Sequence, residues 1–420
     1  MAELKPRHLS VDNMALQHAF GRVLAEGVRS NRRIPPTDIS AMEGYAIRSQ
    51  DTKSATFTNP TRLRVVGRLF AHEETTNVHV RQGEAVFVAT GATIPQGADT
   101  VVRMEHAKKS DGEIATYGQI KRGRDISYAG DDIPRGLVFA KGHVLRPQDV
   151  EVLAALRLRK VKVFSKPRVA IISIGNELRE VGDRDSSEKV DSHALNISGL
   201  LEGLGAVAKV FGVAEDKEKA IKKFVKRALD ETDIILTIAG VSIGEEDFVT
   251  QAVSSFPSAK ILAHGVAMKP GKPTLVAVVK GKPLIGLPGH VASTNAAFYA
   301  FATKLIERYS GATNLRLPTV TVELDEGFKS GALYSFVRFK IREIDSGFIA
   351  TPLDGQITLM RDFVRSNGFA IFPPRRKVAK GDRLSVTLYS IHEFHHIAKS
   401  SATENTVSTL ERSNDVEQAA

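Results

Sequence analysis

The chain has 420 residues, 42% of them hydrophobic and 25% charged, with no cysteine and no tryptophan. This is the composition of an ordinary soluble globular protein, long enough for two to four domains; without cysteine it has no disulfides, thiolate metal sites or cysteine nucleophiles. The formal charge of +10 is spread over KKFVKRALDE, KRGRD and PPRRKVAKGDR, far apart and poorly interleaved with aromatics, which reads as solvated surface and not as a nucleic-acid interface.

The opening MAELKPRHLSVDNMALQ is polar and lacks the apolar core of a secretion signal. No apolar run approaches the ~18 residues of a membrane helix, so the expected place is the cytoplasm, away from membranes. Residues 10–25 predict a helix, with Ser10 as cap and Val11, Met14, Ala15, Ala19 and Val23 as its apolar stripe. From 30 to 140 the runs become short and β-like (RLRVVGRLF, EAVFVAT, TVVRMEH), punctuated by Gly, Pro, Asn and Asp. Residues 147–157 return to helix, with Pro147 in the first turn.

From 167 the pattern is α/β. RVAIISIG, AKVFGVA, DIILTIAG and LIGLPG are strands, and helices are predicted over 192–204, 216–230 and 291–309. The helix at 216–230 carries Ile221, Phe224, Val225, Ala228 and Leu229 at helical spacing. Bare apolar strands alternating with amphipathic helices predict a doubly wound, mostly parallel sheet covered on both faces. Residues 317–390 are again strand-like and predict a small β domain, followed from about 394 by a polar, disordered tail. HEFHH at 392–396 matches H-E-x-x-H, but it follows a strand and lacks a third ligand nearby, so it reads as a chance match.

In a doubly wound sheet the ligand sits off the carboxyl ends of the strands. Those ends offer Gly175-Asn176-Glu177, Asp191-Ser192, the run from Ala239 through Gly240, Ser242 and Gly244 to Asp247, and Pro288-Gly289 before a helix. MKPGKP adds Lys269 and Lys272 between two further strands. Glycine turns, a helix N-terminus and lysines suit a phosphate or another oxyanion, and carboxylates beside phosphate suit Mg²⁺. Asp247 is the candidate to hold a metal or position a water, while Glu245 and Glu246 read as solvated loop residues.

Seven short motifs then occur in order: PPTDISAMEGYAI, VATGATIPQGADTVVRMEH, the long run from AGDDIPRG to IGNEL, VDSHALNISGLLEGLGA, TIAGVSIGEEDFV, VAMKPGKPTLVA and IGLPGHVAST. In these the chain resembles the molybdopterin molybdenumtransferases, a family related to the C-terminal domain of gephyrin. The resemblance implies a helical linker segment (1–30 and 141–166), an inserted β-rich domain (31–140), an α/β molybdopterin-binding domain (167–313), a C-terminal β domain (314–393) and the tail (394–420). It implies a homodimer whose sites are shared between chains. It further implies Mg²⁺-dependent release of AMP from adenylylated molybdopterin as molybdenum from molybdate is placed on the dithiolene.

The same resemblance assigns residues. Lys269, Lys272, Ser293 and Arg338 would bind molybdate or phosphate, with Thr358 in place of a serine, and Gly240, Ser242 and Gly289 would line the substrate. Glu177, Asp191 and Asp247 would serve metal binding and catalysis. From the partner chain, Glu43, Thr90 and Asp131 or Asp132 would face the substrate, Glu43 with a catalytic role. Molybdopterin adenylyltransferase and molybdoenzymes are the implied further partners. Against the family pattern, Glu43 replaces an aspartate, Asn176 an acid, Ile238 and Ala239 a serine and a glycine, and His193 and His290 each an asparagine. These departures motivate an alternative, a paralogue that carries or scaffolds the pterin without turnover. Leaving the resemblance aside, the residues also suit an unrelated Mg²⁺-dependent nucleotide phosphohydrolase.

Overall fold

A computed structural model of the chain describes residues 4, 9–71, 73, 77–182, 189–242, 244, 247–313, 315–353 and 360–397. The chain divides into two compact units: Glu26–Lys141 with Glu151–Leu158, and the remainder, Met1–Ala25, Gly142–Val150 and Arg159–Ala420.

The first of these is built on a six-stranded sheet in the order Thr100–Arg103, Gly44–Ile47, Glu84–Val88, Thr61–Leu69, Glu113–Thr116, Ala107–Ser110. The strand Gly44–Ile47 is buried throughout, with Tyr45 and Ile47 in one apolar cluster and Ala46 in another. Its first residue has to be glycine. A Cβ at Gly44 would lie 2.1 Å from the Val102 carbonyl oxygen, so a side chain would prise the two strands apart.

In the larger unit, residues 10–25 do not form the predicted helix. Val11–Ala15 is a strand, antiparallel to Lys160–Phe164, and a short 3-10 turn, Leu16–His18, follows. The local apolar spacing is overridden by distant partners: Asp12 accepts from Arg22 at 2.7 Å and from Ser165 at 2.8 Å, and Leu24 bridges to Val163. The helix Pro147–Ala155 begins where predicted, and its first turn is fixed by Asp149, which accepts from the Arg146 backbone N–H and guanidinium.

The α/β region follows. Its strands are β1 (Arg168–Ile174), β2 (Val207–Ala214), β3 (Ile234–Ile238), β4 (Lys260–His264), β5 (Leu275–Val279) and β6 (Lys282–Leu287). They lie in the order β2-β1-β3-β6-β5-β4, and only β5 runs against its neighbours. The helices are α1 (Ser192–Gly203), α2 (Glu218–Glu231), α3 (Phe248–Ser254) and α4 (Val291–Ala297), the last continuing through a π turn, Phe298–Ala302, into α5 (Thr303–Ser310). Along β1, Val169 and Ile171 face α1, α4 and α5, while Ala170, Ile172 and Ile174 face α2 and α3. Burial on both faces is why the strand is an uninterrupted apolar run.

The C-terminal strands Thr319–Leu324, Tyr334–Ile344, Gly347–Leu353, Gly368–Phe372 and Arg383–Leu388 form the second β element. Tyr334–Ile344 pairs with both Gly347–Leu353 and Gly368–Phe372, and the pairings run round to close a barrel. Ile397, placed in the tail by the sequence reading, is buried in the barrel core. HEFHH falls on a 3-10 helix, Ile391–His395, whose three-residue turn does not stack residues four apart. Residues 398–420 lie outside the described residues.

Gly44→Ala is expected to destabilise the β-rich unit by about 1–3 kcal/mol, the usual cost of forcing atoms into a packed interior. A lowered midpoint for that unit's thermal transition in the intact protein checks this; an unchanged midpoint contradicts the steric account.

Candidate active site

The carboxyl ends of β1, β3 and β6 meet at one edge of the parallel sheet. After β3 the chain turns through Ala239 (φ 67°) and Gly240 (φ 69°), two successive left-handed residues. Gly240 cannot be replaced cheaply: a Cβ there would lie 2.7 Å from Ile174 and 3.0 Å from Val249 side-chain carbons. Ala239 lacks that freedom and carries the cost of left-handed alanine, roughly 1–2 kcal/mol. Its N–H donates to the Leu287 carbonyl, extending the β3–β6 ladder, and its methyl lies where a Cβ on Gly289 would come within 3.0 Å. The two glycine turns therefore abut, with one methyl group between them.

Asp247 closes the same turn. It is buried, its Oδ1 accepts from the Thr250 N–H at 2.8 Å, and its Oδ2 lies 2.7 Å from His264 Nε2. It is thus the cap of α3 as well as the carboxylate expected here. His264 Nε2 also lies 3.0 Å from the Ser242 carbonyl oxygen, so this ring ties Asp247 and the Ser242 turn to the end of β4. Sequence reasoning missed His264; the only signal was a lone polar residue ending KILAH beside a glycine.

Asp191 likewise caps α1, its Oδ1 accepting from the Ala194 N–H at 3.2 Å. His193, in the first turn of α1, hydrogen-bonds to the Gly289 backbone. Burial holds its imidazole below the ordinary histidine value, against the pull of Asp191, and neighbouring His290 pushes the same way as burial. The two histidines that depart from the family pattern are therefore neighbours at Gly289. Deeper, Asn196 donates to Asn295 at 2.9 Å, joining α1 to α4.

Glu177 is exposed and its carboxylate folds over Gly175, where a Cβ would come within 2.7 Å of Oε2. The intervening Asn176 is clasped to the loop after β2. Its N–H donates to Asp216 Oδ2 at 2.9 Å, and its Oδ1 accepts from the Asp216 N–H at 3.1 Å. An aspartate at 176 would set two carboxylates against each other across this clasp, which gives the asparagine a structural reason.

Lys269 and Lys272 are exposed on the loop between β4 and β5. Gly271, between them, adopts φ 109°, and a Cβ there would lie 3.7 Å from the Ser293 carbonyl oxygen and 3.8 Å from the Ala297 nitrogen. The loop therefore rests on α4, the helix that carries buried Ser293. Met268–Lys269 also pairs in parallel with Tyr334–Ser335, the start of the barrel strand bearing Arg338. Arg338 is buried, opposite Leu353 and Phe369, and close enough to Tyr389 for its charge to favour the phenolate, although burial dominates and holds that phenol above its usual value.

Among the described residues, no three His, Asp or Glu side chains are grouped closely enough to hold a metal ion by themselves. Thr358, Glu245 and Glu246 lie outside the described residues. Glu43, Thr90, Asp131 and Asp132 belong to the β-rich unit, where all four are exposed. There Glu43 and Thr90 flank paired turns: the Ser40 N–H donates to the Ala92 carbonyl and the Gly91 N–H to the Ser40 carbonyl, both at 2.8 Å. Asp131 is engaged locally, Oδ2 accepting from the Tyr128 N–H at 2.7 Å.

A family model described as the MoeA N-terminal region (domain I and II) matches residues 2–156, and one described as a probable molybdopterin binding domain matches residues 170–308. A molybdopterin molybdenumtransferase of Staphylococcus aureus (strain COL) is 31% identical over 342 residues, covering 81% of each chain. Another, from Staphylococcus epidermidis, is 30% identical over 351 residues, covering 82% of this chain and 83% of its own. A crystal structure of the molybdopterin biosynthesis moeA protein from Pyrococcus horikoshii OT3 is similar with a TM-score of 0.79 at 29% identity, covering 92% of this chain and 97% of that one.

Because His193 is held below its ordinary value in the fold, the unfolded chain takes up its proton first as pH falls through about 6.5. The contribution of neutral His193 to the stability of the α/β region is therefore present above that pH and lost progressively below it. His193→Asn is expected to flatten the loss as pH falls below about 6.5. Urea midpoints measured across that range test it, and equal slopes for both proteins would refute the assignment.

Proposed function

This chain belongs to the molybdopterin molybdenumtransferases, enzymes that put molybdenum into molybdopterin during molybdenum cofactor biosynthesis, and we propose that it works on adenylylated molybdopterin, with Mg²⁺, molybdate as metal donor and AMP as a released product. The observation that carries the reading is the seating of Gly271 against the Ser293 carbonyl, which rests the loop bearing both lysines of MKPGKP on the helix that starts just after Gly289. Lys269 and Lys272 supply the charge that holds molybdate and the phosphoanhydride. The N–H groups around Gly240 and Gly289 offer donors to oxyanion charge as it develops.

Mg²⁺ is commonly held by one or two carboxylates together with substrate phosphates, and it stabilises charge on a departing phosphate. The donor set suits that mode. Asp191 and Asp247 each use Oδ1 as a helix cap, which fixes the carboxylate at the sheet edge, and Glu177 is exposed beside Gly175. These are the residues that would hold it. His264 fixes the orientation of Asp247 through Oδ2. Cleavage breaks the bond between the adenylate phosphorus and the bridging oxygen, water supplying the new oxygen of AMP and its proton passing to a carboxylate.

The reading extends to a homodimer in which Glu43, Thr90 and Asp131 or Asp132 of one chain complete the site of the other, to a cytoplasmic place of action, and to delivery between a molybdopterin adenylyltransferase and molybdoenzymes. Ala239 favours a second reading, a carrier that binds the adenylate without cleaving it, because its methyl occupies the point where the two glycine turns meet.

Asp247→Asn separates the two roles of that side chain, since asparagine caps a helix about as well as aspartate. The variant is expected to stay folded, with a midpoint lowered only by the lost Oδ2–His264 contact, and to lose molybdate-dependent AMP release by roughly 100-fold or more, the scale of one misplaced or uncharged catalytic group. Release that persists in Asp247→Asn removes the acid from the mechanism. Tight adenylate binding without release by the unaltered protein instead establishes the carrier, with Ala239→Gly the reversion to make. Lys269→Ala is expected to raise the molybdate concentration needed for half-maximal release by about 10-fold, consistent with loss of one charged contact.

A further inference from the structure

The β-rich unit contains a cavity of about 660 Å³ to which neither the sequence motifs nor the family reading assigns a ligand. It lies where the sheet curls, between Thr100–Arg103 at one edge and the strands Ala107–Ser110 and Glu113–Thr116 at the other.

Two kinds of side chain mark it. At the mouth stand Phe57 and Tyr117, ring centroids 5.7 Å apart and tilted by 41°, with Phe57 86% exposed and Tyr117 39% exposed. A phenylalanine held almost wholly in water forgoes the burial that normally stabilises it, and its ring partner among the described residues is a second exposed aromatic. The wall carries Arg103, Lys108 and Arg124 against one lining carboxylate, Glu105. Arg103 is fixed in place by two hydrogen bonds to Asp125, at 2.8 and 3.0 Å, and Arg124 lies 3.5 Å from the same carboxylate. The two arginines are therefore pre-organised, with Asp125 offsetting one of their charges, so little entropy is lost when an anion meets them.

The floor is closed, with Thr116 fully buried beneath it. Val102 and Ile120 complete an apolar base beneath the rings.

From this arrangement we infer a second binding site, specific for a flat heteroaromatic ring that carries a phosphate, the chemistry of a mononucleotide. The ring stacks on Tyr117 and Phe57, and the phosphate meets Arg103, Lys108 and Arg124. Stacking on an aromatic tolerates many bases because each has a π face, while the cations require the phosphate. The site is complete within this unit and needs no residue of the sheet edge that carries Asp247. The same chemistry has two sources, a free nucleotide and the adenylate half of the substrate proposed above.

The test is photolabelling of the full chain with 8-azidoadenosine 5′-monophosphate, followed by peptide mapping. Label is expected on peptides within residues 53–124, competed by AMP and not by equimolar inorganic phosphate. Tyr117→Ala and Phe57→Ala are each expected to reduce it by about 10-fold, the scale of one lost base–aromatic stack. Both side chains are exposed, so an unchanged unfolding midpoint for these variants verifies that the fold is intact. Lys269→Ala, altered only in the α/β region, is expected to leave this label unchanged. Label confined to residues 167–313, label that phosphate displaces equally well, or label abolished by Lys269→Ala would each overturn the site. Label retained there by a protein that releases no AMP would uphold it and count only against the transferase mechanism.

Discussion

The turn at Ala239 and Gly240 is the constraint on which the sheet-edge site depends. Two consecutive left-handed residues reverse the chain within the space that Ile174 and Val249 leave open. That reversal delivers the Gly240 carbonyl to the Val249 N–H at 3.1 Å, so α3 starts at a fixed point. With α3 fixed, Asp247 falls at its cap, and His264 reaches it from β4. The Ala239 N–H bound to Leu287 then aligns the end of β6, and with it Gly289 and the start of α4. A single backbone feature thus sets the positions of residues far apart in sequence.

Much of the α/β region was legible because its signals are local and repetitive. Helices α1 and α2 carry their apolar spacing in sequence, and the bare apolar strands announced burial on both faces, whereas the seven-residue α3 was not among the predicted helices. The N-terminal strand was not legible. Val11, Met14 and Ala15 have helical spacing, and only the pairing with Lys160–Phe164, about 150 residues away, makes them a strand. At the candidate site, the motifs named Asp191, Asp247 and Ser293 as expected site residues but not what these residues touch. That Asp191 and Asp247 are helix caps was hidden because a cap and a catalytic carboxylate use the same residue types. His264 was hidden because its partner lies 17 residues earlier, across a helix. The clasp between Asn176 and Asp216 was equally invisible, since it joins two loops through atoms that no motif names.

The α/β region and the barrel share one apolar cluster, which bears on how a change in one reaches the other. Tyr299, from the π turn after α4, stacks near Phe369 with centroids 4.7 Å apart, and Phe369 in turn stacks on Phe336 at 4.7 Å. Tyr389 lies 5.2 Å from Tyr299, and its hydroxyl is 3.0 Å from Ser366. Burial raises both phenols, Tyr299 strongly, so each stays protonated and acts as an aromatic wedge. The strand that pairs with Met268–Lys269 therefore also carries Phe336 into this cluster. The position of the lysine loop and the packing of the barrel are two ends of one rigid connection.

The closed ring of strands has an evolutionary consequence. In an open sheet a strand at the edge can slip, shorten or gain a residue while its neighbour adjusts. In the barrel, Tyr334–Ile344 is paired on both sides, and each pairing leads round to the other. A one-residue insertion in any strand would turn its inward side chains outward and demand a compensating shift in every remaining strand. Length changes in this part of the chain should therefore accumulate only in its loops, and descendants of this sequence can drift widely there while the strand lengths stay frozen.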